Sequence, residues 1–106
     1  MAKAKVDKKI ISIINEFITE IRKHYDVDAV YLFGSYAKGT THKWSDIDLA
    51  IVSADIKDRI DERINMLIIA SKFDADIEPH PFSTEDFNPD DSVMADEILR
   101  TGIRVA

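Results

Sequence analysis

The sequence has no cysteine in its 106 residues, so it has neither a disulfide framework nor a thiolate metal site. Glycine and proline are scarce, with three of each, and no internal repeat or low-complexity segment interrupts the chain. No apolar run approaches the roughly 20 residues that a membrane-spanning helix needs. The opening Met1-Ala2-Lys3-Ala4-Lys5 carries lysines but no apolar h-region, so no secretory signal is expected. Positive charge is also short: 14 Lys and Arg stand against 20 Asp and Glu, a net charge of −6. A general nucleic-acid binder needs a basic surface to displace counterions, so direct nucleic-acid binding is not expected, although a basic protein partner remains compatible. What is present, 45% hydrophobic and 32% charged residues, is the composition of a soluble globular protein. The expectation is a single domain over residues 1–106 in the cytoplasm, with no membrane contact.

Hydrophobic spacing divides the chain into elements. Ile10, Ile14, Phe17, Ile18 and Ile21 recur at steps of three and four between charged residues, which predicts a helix from Val6 to about His24 with Asp7 as its cap. Val30 to Phe33 reads as a short buried strand stopped by Gly34. Tyr36 to Ser45 reads as a turn or short helix plus loop. Ile47 to Val52 is nearly all apolar beyond Asp48, the mark of a strand covered on both faces. Ile56, Ile60, Ile64, Leu67 and Ile68 form a second helical stripe ending near Ser71. Asp74 to Phe82 reads as a third strand closed by Pro79 and Pro81, followed by a polar loop through Pro89. Ser92 to Arg100 reads as a last helix with Gly102 in a stop position, and Ile103 to Ala106 as a short final strand. The order is that of an α/β (α+β) domain with one small sheet flanked by helices. Only the link from Ala54 to Lys72 is long enough for a crossover, so the sheet is expected to be mixed. The first two strands are compatible with either relative direction.

The most informative feature is a spacing: Gly34-Ser35, ten residues, then Asp46-Ile47-Asp48. On an extended strand Asp46 and Asp48 share a face. Two like charges side by side are costly unless a cation lies between them, and oxygen-only ligands suit magnesium, which fills the rest of its shell with water and substrate phosphate. If Ser35 begins a helical turn, its hydroxyl and the backbone N–H groups form an anion site, and Gly34 lets the chain approach phosphate closely. A two-metal site needs a further carboxylate. Asp76 and Glu78 alternate on the third strand and share one face, so either is a candidate. His80, between two prolines, more often belongs to a loop than to a site. His24 and His42 are isolated, with no histidine pair at zinc-ligand spacing. Tyr36 and Trp44 flank the proposed cleft, where packing of the loop is the simpler role.

Gly-Ser, ten residues, Asp-x-Asp and an acidic residue on a later strand resemble the signature of the DNA polymerase beta-like nucleotidyltransferase superfamily. The short chain is similar to its minimal nucleotidyltransferase branch, from the leading helix to the third strand. The resemblance implies that fold, with Gly34 and Ser35 binding nucleotide phosphates and Asp46 and Asp48 holding two magnesium ions. The third carboxylate falls on Asp76 or Glu78; Asp76 is favoured as the deeper position in the strand, and is also a candidate to help deprotonate the acceptor. Many relatives have arginine where this chain has Lys38; lysine keeps the charge but loses the bidentate fork, which weakens a phosphate role for Lys38.

The activity implied is transfer of a nucleoside monophosphate, AMP from ATP, to a hydroxyl acceptor. Minimal members of this family typically pair with a small helical HEPN-class protein encoded nearby, and in such pairs they act as antitoxin by adenylylating a tyrosine of a HEPN ribonuclease toxin. An oligomer with that partner is compatible. Two other readings compete: a non-catalytic antitoxin or scaffold that neutralises a HEPN partner by binding, and a small-molecule transferase of the aminoglycoside type, for which the chain is short.

Overall fold

The computed structural model describes residues 6–39 and 46–106. In chain order the elements are α1 (Lys8–Ile21), β1 (Val27–Phe33), α2 (Ser35–Lys38), β2 (Ile47–Ser53), α3 (Arg59–Ala70), β3 (Ile77–Phe82), α4 (Val93–Thr101) and β4 (Ile103–Arg104). The strands form one mixed sheet in the order β3-β2-β1-β4. β2 runs antiparallel to β1 and parallel to β3. The parallel pair is joined through α3, the crossover that the long link between strands requires.

α1 starts where Asp7 accepts a hydrogen bond from the Lys9 N–H, as its capping sequence predicts. Its buried stripe is Ile14, Phe17, Ile18 and Ile21. These residues pack with Val30 and Leu32 of β1, Leu49 and Ile51 of β2, Ile77 of β3 and Met66 and Ile69 of α3 into the main core on one face of the sheet. The opposite face carries a smaller cluster of Ala29, Ala50, Val52, Phe82 and Ile98. Phe87 from the loop before α4 joins it, its ring 5.3 Å from that of Tyr31. From Leu49 to Ser53 every residue of β2 is buried, which confirms a strand covered on both sides.

Three expectations change. The third strand begins at Ile77, not Asp74, and Pro79 and Pro81 lie inside it rather than closing it. β3 is an edge strand, where proline is tolerated because the outer side has no sheet partner. The Pro79 and Pro81 carbonyls still need donors, and α3 supplies them: Arg63 Nε donates to the Pro79 oxygen at 3.1 Å and Arg59 Nε to the Pro81 oxygen at 3.0 Å. The second helical stripe also moves. Ile60, Ile64 and Ile68 are 74%, 52% and 59% exposed, and Met66, Ile69 and Ala70 are the buried residues of α3. The helix is rolled so that its arginine face meets β3, leaving the isoleucine ridge in solvent. Lastly, Gly102 ends α4 without a left-handed turn. A Cβ there would lie 2.5 Å from the Ile98 carbonyl oxygen and 3.2 Å from that of Leu32, so the last-turn carbonyl of α4 itself, with β1 close behind it, explains the glycine. No described helix is long and apolar enough to cross a membrane.

The roll of α3 is testable. Met66→Ala should cost about 2–5 kcal/mol, as truncation of a fully buried side chain does, whereas Ile64→Ala should stay within about 0.5 kcal/mol; urea unfolding of both variants measures the difference. At the other end of the sheet, the Tyr25 hydroxyl donates to Glu62 Oε1 at 2.7 Å. Burial, with this bond to a carboxylate, pushes the phenol up to about 12. The raised value means that the folded state holds this proton more tightly than the unfolded one. The contribution is therefore full below the ordinary tyrosine pKa of about 10 and is lost as pH rises toward 12. Absorbance titration should show one late tyrosine, missing in Tyr25→Phe.

Candidate active site

The site is built where β1 ends and β2 begins. Gly34 has φ 73° and ψ −144°, and Gly39, which closes α2, has φ 72°. At Gly34 a second constraint adds to the backbone one. A Cβ would lie 2.5 Å from Asp48 Oδ2, so any side chain here would have to displace that carboxylate as well as accept a positive φ. Ser35 is the first residue of α2. The spacing between Gly34 and Asp48 is thus a spatial contact.

Asp48 is the second residue of β2 and is half-buried. It sits opposite Phe33 on β1 and Glu78 on β3. Parallel pairing points registered side chains to the same face, so Asp48 and Glu78 are lateral neighbours. Asp46 is exposed, one residue before β2. Asp76 is exposed, one residue before β3, and its carbonyl accepts the Ile47 N–H at 2.7 Å. It therefore does not lie deeper in the strand than Glu78, contrary to the expectation. Glu78 is met by Arg63, whose Nη2 lies 3.2 Å from Oε2. Lys38 points across to α4, where its Nζ lies 3.3 Å from Glu97 Oε1, with both side chains about half exposed. A pair this open to solvent holds weakly, so Lys38 is available to an anion.

Among the described residues, no three of the histidine and acidic side chains converge as a ready ligand set. Trp44, His42 and the rest of residues 40–45 lie outside the described residues; Tyr36 packs against the main core, in keeping with the simpler role. Two participants escaped the sequence reading. One is Arg63, to which residue type and spacing gave no role. The other is His80: its Nε2 lies 3.4 Å from Asp48 Oδ1 and its ring 5.1 Å from Phe33. Once Pro79 and Pro81 are read as strand residues, alternation puts His80 on the Glu78 face, and that was the available signal.

The Gly34 contact predicts a coupling. Gly34→Ala should cost about 1–3 kcal/mol, the range for a side chain forced into a sparsely populated backbone region. Combined with Asp48→Ala, which removes the oxygen the new methyl meets, the loss should be smaller than the sum by about 0.5–3 kcal/mol. A double-mutant cycle in urea measures it.

Comparison with known proteins identifies the family. Residues 15–106 match the family model described as polymerase beta, nucleotidyltransferase. The protein adenylyltransferase MntA of Shewanella oneidensis is 36% identical over 72 residues, which cover 68% of this chain and 48% of that protein. The chain therefore spans about half the length of that relative. A structure of a toxin–antitoxin with AMP-PNP superposes with a TM-score of 0.67 at 27% identity, covering 91% of this chain and 72% of the other. A structure of the tri-AMPylated Shewanella oneidensis HEPN toxin in complex with MNT antitoxin gives a TM-score of 0.63 at 26% identity, covering 90% of this chain and 70% of the other. With the family model matched over most of its length, the chain belongs to the polymerase beta nucleotidyltransferase family.

Proposed function

We propose that this protein is a magnesium-dependent adenylyltransferase that moves AMP from ATP to a hydroxyl of a HEPN-class partner, a tyrosine of that partner in the first instance. We place it in the cytoplasm, where nucleotide and magnesium are available, as a single catalytic domain. The observation that carries the reading is the closeness of the Gly34 turn to Asp48, with Glu78 beside it in register. It brings a glycine turn and two neighbouring carboxylates to one end of the sheet. The adenylyltransferase and toxin–antitoxin relatives support the choice of AMP and of a protein acceptor.

The donor set suits magnesium. It is oxygen only, it comes from the mouths of two neighbouring parallel strands, and Asp46 is exposed enough to leave room for water and phosphate. Asp46 and Asp48 would hold the ions. We assign the third carboxylate to Glu78 rather than Asp76, because the register sets Glu78 beside Asp48. Bound there, two ions would supply Lewis-acid stabilisation of the α-phosphate and lower the pKa of the attacking hydroxyl. The chain's own part is position. Gly34 and Ser35 receive the triphosphate, and Lys38, released from Glu97, balances its charge. The acceptor oxygen bonds to the α-phosphorus as the bond to the β-phosphate oxygen breaks. Pyrophosphate leaves and the hydroxyl proton passes to the carboxylate cluster or to water. Holding acceptor and phosphate in line contributes as much as any single charge.

The test is label transfer from α-labelled ATP, with magnesium, to the product of the neighbouring gene. Asp46→Asn and Asp48→Asn should each lower the rate about a hundredfold or more, the scale of losing one electrostatic element of a transition state. Glu78→Gln should fall with them, and Asp76→Asn should change the rate by less than about threefold on the same scale. Transfer that survives Asp46→Asn and Asp48→Asn would sink the mechanism. A carboxylate-free variant that still neutralises the partner would favour the binding antitoxin instead.

A further inference from the structure

His80 is neither buried away from the site nor loose in a loop. Its side chain is about one-fifth exposed, and Nε2 lies 3.4 Å from Asp48 Oδ1. Asp48 is thus bracketed. On one side Oδ2 lies against the Gly34 turn, 2.5 Å from where a Cβ would stand; on the other, His80 faces Oδ1. The histidine is itself held from three directions. Its ring meets the edge of Phe33 at 5.1 Å. Pro79 and Pro81 fix the backbone φ on either side of it. The carbonyls of those prolines are gripped by Arg63 and Arg59, one turn apart on α3. A ring this constrained can set the direction of the carboxylate that it touches.

We propose that His80 is a positioning residue for Asp48, donating Nε2–H to Oδ1 and turning the carboxylate toward Asp46 and Glu78. The inference rests on the reading of Asp46, Asp48 and Glu78 as the cation site, and it adds what orients that site. Outer-shell partners of ligating carboxylates act in this way, and their loss typically weakens metal affinity about 10–100-fold. Here the device is a strand in which proline, normally excluded, stiffens the presentation of one histidine.

The experiment measures Mn2+ binding directly, by electron paramagnetic resonance of the free ion, on the full chain with AMP-PNP present. His80→Ala should weaken binding about tenfold. His80→Gln, which keeps an N–H donor at similar reach, should recover most of it. His80→Phe, which keeps the packing on Phe33 but cannot donate, should remain as weak as His80→Ala. Circular dichroism melts confirm that the variants are folded, and the conservative His80→Gln and His80→Phe pair carries the test if His80→Ala is not. Wild-type binding by His80→Phe would overturn the inference, because packing alone would then suffice. Asp48→Asn separates this from the underlying reading: if it binds Mn2+ as the wild type does, the cation site is misassigned, whereas its loss beside an unaffected His80→Phe refutes only the positioning role. Label transfer adds a second readout, in which His80→Phe should lower kcat with little change in the KM for ATP.

Discussion

The candidate site depends on the register of β2. From Leu49 to Ser53 this strand is buried on both faces, between the α1–α3 core and the cluster around Phe82. A slip of one residue would exchange every side chain between faces and drive Asp48 toward the main core. The hydrophobic sequence that follows the carboxylates therefore fixes where they stand. Asp48 is held at the strand mouth by residues that take no part in chemistry, and Gly34 and Glu78 are brought to it by pairing on either side.

The second support comes from α3. By donating Arg59 and Arg63 to the carbonyls of β3, the helix closes an edge that cannot be closed by a further strand. Arg63 also meets Glu78, so one side chain serves both the edge and the carboxylate beside Asp48. Turning that face inward leaves Ile60, Ile64 and Ile68 outward. The helix is thus oriented by hydrogen bonding to the edge together with burial of Met66, Ile69 and Ala70, at the expense of its isoleucine ridge.

Much of this was legible in the sequence because it follows from local rules. The cap at Asp7, the stripe of α1, the buried character of β2 and the turn at Gly34 each follow from residue type and spacing. The Gly-Ser and Asp-x-Asp segments lie at the ends of adjacent strands, Gly34 just after β1 and Asp48 near the start of β2, as their flanking apolar residues suggest. What failed was decided by partners distant in sequence. Pro79 and Pro81 look like strand terminators unless it is known that β3 is an edge and that arginines wait on α3. Ile60, Ile64 and Ile68 look like a core stripe unless those arginines are seen to compete for the inward face. Asp76 and Glu78 differ only by where the strand starts, and the pairing of Ile47 with Ile77 is not written in either segment alone.

The central claim is that one end of this sheet holds a nucleotide through the Gly34–Ser35 turn and a divalent cation through Asp46, Asp48 and Glu78. The most direct measurement is a crystal structure of the protein soaked with Mn2+ and AMP-PNP, with anomalous data collected for manganese. The account predicts an anomalous peak within coordination distance of Asp46, Asp48 and Glu78, with the triphosphate against Gly34 and Ser35. A nucleotide bound elsewhere on the protein, or manganese bound away from these carboxylates, would contradict it.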